Sequence, residues 1–324
     1  MSKSGLVLKS RGFIIVFALV AIGCSIVFGQ DRGDSETRRA QKRGQVRPVT
    51  IPVTIRRRDP KSEREISVDF IVREDGEMQD VLSIRRPNET PLTLAVLMQD
   101  DLVSSVSNET RGIADFVRRQ PLGTRAMVGY IRAGSLEVRR KFTGDLEKAA
   151  DSVRPPLGIA SAAPFNPYVE IIEALKRFDS QPAGRRSILV VSDGLDVARG
   201  FDSASPSQSL DLQRAIKEAQ RRGVAIYSIY APAVSTAAGN NQVLVSYAQS
   251  SLEQLSNETG GHAYFQGTGA PISFDRFLSE IDTSFSRQLA VTYLSTHVNK
   301  GFHRLEVKSQ DRSIELRHPA GYPR

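Results

Sequence analysis

Three short runs, "LTLAVLM" (92–98), "SILVVS" (187–192) and "VAIYSIY" (224–230), are almost wholly apolar. A strand with one face in water alternates apolar and polar residues. A run that is apolar at nearly every position has to be covered on both faces. The segments between these runs carry helical spacing instead. "SNETRGIADFVRRQ" places Ile113, Phe116 and Val117 on one side. "NPYVEIIEALKRF" offers Asn166 as an N-cap and Pro167 at the first helical position, with an expected apolar stripe of Val169, Ile172, Leu175 and Phe178. Asp145 caps "DLEKAADSV", and "LDLQRAIKEAQRRG", "SLEQLSNETGG" with its glycine stop, and "SFDRFLSEIDTSF" supply further helices. "AMVGYIRAG" and "SLEVRRKFT" read as a hairpin. Strands and helices that alternate in this way specify an α/β fold, a doubly wound and mostly parallel sheet of Rossmann type with right-handed crossovers.

The flanks follow a different period. "VTIPVTIRR", "EISVDFIVRED" and "MQDVLSIRR" alternate with period two, and Asp75-Gly76 supplies a turn. They define a small antiparallel β unit over residues 48–88. The α/β domain spans 89–286, and alternation returns in a β extension over 287–324, in "RQLAVTYLS" and "GFHRLEVKSQDRSIELRH". The two β segments are expected to pack together as one accessory sheet, in a register the sequence does not fix.

Residues 1–29 read as a signal peptide: Lys3, Lys9 and Arg11 precede an apolar run from Phe13 to Phe28. The run is shorter than the ~20 residues that a spanning helix prefers. Cleavage after Gly29, retention as an N-terminal anchor and lipidation of Cys24 are the alternatives. Apolar residues continue past Cys24, which disfavours the last. Export, to a periplasmic, secreted or membrane-anchored location, is the expectation in each case. Cys24 is the only cysteine, so a cleaved chain has no disulfide, thiol nucleophile or cysteine-based metal centre. The net charge is +8, and much of the excess lies in "RRAQKRGQVRP" and "RRRDPKSER". Residues 30–47 suit a solvated, disordered basic linker, which at an envelope would also be drawn to anionic polymers or lipid headgroups. They contain Arg32-Gly33-Asp34, a tripeptide too short to carry weight. An exported chain without tryptophan is not expected to bind nucleic acid.

In a doubly wound sheet, ligands bind beyond the carboxyl ends of the strands, where the strand order reverses. Two buried strands end there in acids: Asp100 and Asp101 after "LTLAVLMQ", and Asp193 after "ILVVS". Ser104 and Ser105 follow the first, and Asn166 opens a helix that could face the same point. Oxygen donors from separated segments are the chemistry of Mg²⁺.

"LTLAVLMQDDLVSS" and "ILVVSDGLD" resemble the two metal-site segments of von Willebrand factor type A (VWFA) domains. With the flanks "IPVTIRR", "VDFIVREDGEMQDVLSI", "LEQLSNETGGHAYF" and "VTYLSTHVNKGFHRLEVK", the chain is similar to the exported VWFA-related proteins typical of acidobacteria over residues 48–324. The resemblance implies a non-enzymatic adhesion or assembly module, whose metal completes its shell with an acidic side chain of a protein partner. It also implies a metal site at Asp100, Asp101, Ser104, Ser105, Asn166 and Asp193, in a degenerate form. Starting the family's D-x-S-x-S at Asp100 puts Leu102 and Ser104 in the serine places; starting at Asp101 puts Val103 and Ser105 there. Counting from Pro91 brings Gln99 to the position of the first aspartate.

Enzymatic motifs are lacking. His262, His297, His303 and His318 are the only histidines, none in H-E-x-x-H, and neither a G-x-S-x-G elbow nor a Walker A sequence occurs. His262 is expected at a surface or strand end. A structural envelope protein with a vestigial site, and a metal-dependent hydrolase using Asp100 and Asp193, are the alternatives to a binding module.

Overall fold

The computed structural model describes residues 46–59, 69–132, 134–159, 166–200, 204–239 and 241–324. The expected signal peptide and Arg32-Gly33-Asp34 lie outside them, as does all but the end of the basic linker. Among the described residues, strands β1 (Arg47–Arg57), β2 (Phe70–Glu74) and β3 (Glu77–Arg85) come first. The α/β part follows with β4 (Leu92–Gln99), α1 (Thr110–Arg118), β5 (Arg125–Arg132), β6 (Ser135–Thr143), α2 (Leu146–Ala150), α3 (Pro167–Lys176) and β7 (Arg185–Ser192). It continues through α4 (Leu210–Arg222), β8 (Val224–Tyr230), α5 (Val234–Gly239), α6 (Gln242–Thr259), β9 (Ala263–Tyr264) and α7 (Asp275–Ser286). Strands β10 (Gln288–Ser295), β11 (Phe302–Ser309), β12 (Ile314–Arg317) and β13 (Gly321–Pro323) close the chain.

The six-stranded sheet has the order β6-β5-β4-β7-β8-β9. It is parallel from β5 to β9, and β6 adds an antiparallel edge through the expected hairpin. The chain leaves β4 to one side and returns to the other, so strand order reverses between β4 and β7. β4 is buried along its whole length. Leu94, Val96 and Met98 meet α1 and α7 on one face, while Ala95 and Leu97 meet α3 and α4 on the other. Both-face coverage is the reason for the all-apolar runs.

Local signals act as the sequence implies. Asp145 and Asn166 accept hydrogen bonds from Lys148 N and Tyr168 N at their helix starts, and Gly260 ends α6 in the left-handed conformation. The α3 stripe holds at Leu175 and Phe178 and shifts by one residue in its first half. Tyr168, Ile171, Ala174 and Leu175 are buried, followed by Phe178, whereas Val169 is exposed.

The flanking segments pack together as expected, but they are more than small extensions, so the mostly parallel sheet is one of two sheets. They merge into a curled seven-stranded antiparallel sheet of order β12-β1-β10-β3-β2-β11-β13. β1 pairs with β10 from Arg47↔Ser295 to Thr54↔Gln288, joining the two ends of the described chain. Within each segment only two strands pair with one another, β2 with β3 and β11 with β13, too few to bury an apolar face; together the segments enclose Ile51, Val53, Val72, Val291, Tyr293 and Leu305. The sheet packs against β7, β8 and the end of α4. Gln288 Nε2 donates to Ser187 Oγ (3.2 Å), Thr54 Oγ1 and Tyr227 Oη share a hydrogen bond (3.3 Å), and Gly223 abuts Thr50. Gly223 ends α4 at φ +61°, where an added Cβ would sit 2.4 Å from the Thr50 carbonyl oxygen. Gly76, at φ +85° in the β2–β3 turn, has nothing within 4 Å of that position.

The two glycines separate backbone strain from packing between the sheets. Gly76→Ala is expected to cost about 1 kcal/mol, the price of a left-handed alanine. Gly223→Ala carries that cost plus the clash, about 3 kcal/mol in total. Urea unfolding of the two variants against wild type checks the order.

Candidate functional site

β4 ends in Gln99, and β7 ends in Ser192, followed by Asp193. Gln99 is fully buried and ties the two strand ends together. Its Oε1 accepts from Ser192 Oγ (2.6 Å) and from Asp193 N (3.0 Å), and its Nε2 donates to Asp101 Oδ1 (2.8 Å). Asp193 Oδ1 accepts from Leu195 N (3.1 Å), and Oδ2 accepts from Thr236 Oγ1 (3.0 Å), which α5 brings in beyond β8. The loops after β4 and β8 clasp each other. Val103 N donates to Pro232 O (3.1 Å), Val234 N donates to Asp101 O (2.9 Å), and Leu102 bridges Ala233. The crevice at the switch point is therefore filled by protein: Asp101 is 7% and Asp193 3% exposed.

Burial raises the Asp101 pKa, and the negative charge of Asp100 adds to it. Asp193 is pushed up to about 7, mainly by burial, with a contribution from Asp101. Asp100 behaves in the opposite way. Burial alone would raise its pKa, but hydrogen bonds from Arg154, Leu157 N and Arg132 outweigh it and hold the carboxyl low. Arg154 Nη1 and Nη2 reach Oδ1 and Oδ2 at 2.7 and 3.0 Å, and Arg132 Nε reaches Oδ2 at 2.9 Å. Arg154 also lies over the Tyr130 ring, 3.9 Å from its centroid. Leu157 N (3.1 Å) and Gly158 N (3.1 Å) bind the Asp100 side chain and carbonyl, so this carboxylate anchors the 154–158 loop.

Of the six residues expected at a metal, the structure links Asp101 and Asp193 through Gln99. It turns both Asp100 oxygens to arginines. Asn166 Oδ1 is occupied by Tyr168 N (3.0 Å), and its Nδ2 donates to Asp211 Oδ2 (2.8 Å). Ser104 and Ser105 are exposed at the start of the 3₁₀ turn Ser104–Glu109. This donor set does not fit a divalent cation. An amide N–H group points at Asp101 where a carboxylate oxygen would be needed, and no three acidic, histidine or cysteine side chains among the described residues are placed to share an ion. Thr236, Arg132 and Arg154 were not foreseen. They lie 43, 32 and 54 residues from their partners, with no local spacing to reveal them.

No family model and no curated protein matches the chain. Among solved structures it is similar to an aerotolerance-related membrane protein from Bacteroides fragilis with multiple mutations to serine (12% identity, TM-score 0.41, covering 60% of this chain and 98% of that one). It is similar also to the conserved hypothetical protein BatB from Bacteroides thetaiotaomicron (12%, 0.41, 61% and 98%) and to the SpRpn10 VWA domain (16%, 0.36, 59% and 95%). At such identities the likeness concerns fold alone. The α/β part has a mostly parallel six-stranded sheet with one antiparallel edge strand and acids at the ends of β4 and β7.

The raised pKa of Asp193 has a signed consequence. Its native value, about 7, lies above the ordinary aspartate value of 3.8, so its contribution to stability is complete below about pH 3.8 and is lost as pH rises through 7. At ~1.4 kcal/mol per unit the difference is up to about 4 kcal/mol. Asp193→Asn keeps the acceptor for Leu195 N and removes the titration. The stability of wild type minus variant is expected to fall by about 2–4 kcal/mol between roughly pH 4 and pH 7.5. Denaturant unfolding of both proteins across that range checks it; a constant difference would contradict the assignment.

Proposed function

We propose that the protein is an exported, non-enzymatic binding or assembly module that engages a protein partner through the rim of its carboxyl-end face, without a bound metal. The observation that carries this reading is that five of the exposed aliphatic residues sit on that face. α3, α4 and α6 each run back against the parallel strands, so their N-termini lie at the carboxyl ends. Val169, Leu210 and Val243 stand in the first turns of these helices and are about half exposed. Leu157 (51% exposed) and Ile159 (70%) lie on the loop held by Asp100 beside the end of β4. Single exposed apolar residues are ordinary, but a set on one face marks an interaction surface. The acids do not reach that surface; they set the shape of the loops that do.

Against the hydrolase alternative, the oxygens of Asp100 accept from Arg132 and Arg154, and those of Asp193 accept from Leu195 N and Thr236 Oγ1. No helix among the described residues is long and apolar enough to cross a membrane. The reading of export rests on the basic-then-apolar N-terminal sequence.

Pull-down from native envelopes followed by cross-linking tests the proposal. A specific partner is expected to cross-link at the 154–159 loop and at the starts of α3, α4 and α6. Its binding should survive chelator and weaken by about tenfold or more in Leu157→Asp/Ile159→Asp, a loss of hot-spot size. Both side chains are exposed, so stability should change by less than about 1 kcal/mol. Undiminished binding in the folded double variant would overturn the site, and loss of binding with chelator would overturn metal independence.

A further inference from the structure

On another side of the molecule, the accessory sheet and the α/β part enclose a cleft of about 230 Å³. It is lined by Arg56 and Arg57 at the end of β1, Arg317 at the end of β12, Arg287 just beyond α7, and His262 just before β9. None of Gln99, Asp101, Asp193 or Thr236 contributes to it. The Arg287 and Arg317 guanidinium groups have no hydrogen-bond or ion-pair partner among the described residues. Arg56 has, among the described residues, only a long contact to Glu315 (3.9 Å), with both side chains more than half exposed. Among the described residues Glu280 is the one acid on the wall, and its Oε1 is taken by Arg276 Nε at 3.1 Å. Burial, together with the nearby Arg317 and Arg56, holds His262 neutral, with a pKa of about 4.

Positive side chains are rarely gathered in a recess without compensation, because repulsion and desolvation both oppose it. Guanidinium forks match phosphate oxygens bidentately, and a neutral imidazole can add a further donor. The volume is below the ~300–1,000 Å³ of pockets that enclose drug-sized ligands, which limits the occupant to a small group. We propose that this cleft binds a phosphate-bearing group, held by Arg287 and Arg317 with Arg56 and His262 beside them. The site is separate from the partner-binding rim, so either can fail without the other.

Calorimetric titration of the full chain with inorganic pyrophosphate tests it. Saturable binding that weakens with salt is expected, and Arg287→Ala/Arg317→Ala should lose at least about tenfold, the worth of one or more charge-assisted hydrogen bonds. Arg304→Ala, on an exposed residue outside the cleft, should bind as wild type does. A second readout does not depend on the double variant folding. In the wild-type chain, the NMR titration midpoint of the His262 ring should rise when pyrophosphate is added, because an anion opposes the two arginines. Vesicles containing phosphatidylglycerol distinguish the source of the phosphate. Displacement of pyrophosphate by vesicles assigns a lipid headgroup, and pyrophosphate binding unaffected by vesicles assigns a soluble ligand. Absence of saturable binding at millimolar pyrophosphate, equal binding by the folded double variant, or an unmoved His262 titration overturns the proposal.

Discussion

The carboxyl end of the α/β sheet depends on one uncharged side chain. Gln99 stands at the last position of the central strand, fully buried, between Asp101 and the end of β7. An amide can accept on one side and donate on the other; a carboxylate can only accept. Here the acceptor side takes Ser192 Oγ and Asp193 N, and the donor side satisfies Asp101. A carboxylate at position 99 would add a third negative charge to a buried pair and leave Asp101 without its donor. The amide gives Asp101 a donor, and the loops after β4 and β8 close over the acids. What could have been an open crevice is interior, and the surface available for recognition is the rim around it.

A charged group fixes that rim. Asp100 is adjacent in sequence to Asp101 yet takes the opposite course, because two arginines meet it and, among the described residues, none meets Asp101. With both oxygens satisfied, it binds the backbone of Leu157 and Gly158 and positions the apolar loop at the end of β4. Two neighbouring aspartates thus divide the work: one is sealed in the closed switch point and the other organises the loop beside it.

The sequence was most legible where the physics is local. Runs apolar at every position required coverage on both faces, and Asn166, Asp145 and Gly260 act within a helical turn of their own positions. The helix "PYVEIIEALKRF" carries two overlapping apolar tracks, Val169/Ile172 and Tyr168/Ile171, and helical period alone does not choose between them. Contact with the sheet chooses the second, and Tyr168 Oη donates to Gly194 O beyond the end of β7. At the switch point, residue types suggested a cation because acids cluster there. The deciding partners, Thr236, Arg132 and Arg154, arrive from distant segments, and only the fold shows that each oxygen is already occupied.

The accessory sheet shows the same limit on a larger scale. Period two marked its strands, but not that β1 lies between β10 and β12 while β2 and β3 lie on the other side of β10. This order makes the two flanks interdependent: without β10, β1 loses its longest partner and β3 loses its link to β1. It also brings Arg56 and Arg57 beside Arg317 through the β1–β12 register, where Thr54 opposes Arg317 and Arg56 opposes Glu315. Arg287 enters from the turn that leads out of α7, where its carbonyl accepts from Ile55 N. The positive cleft is therefore a product of strand order, assembled from residues up to 261 positions apart, and only the antiparallel pairing of the two flanks can hold it together.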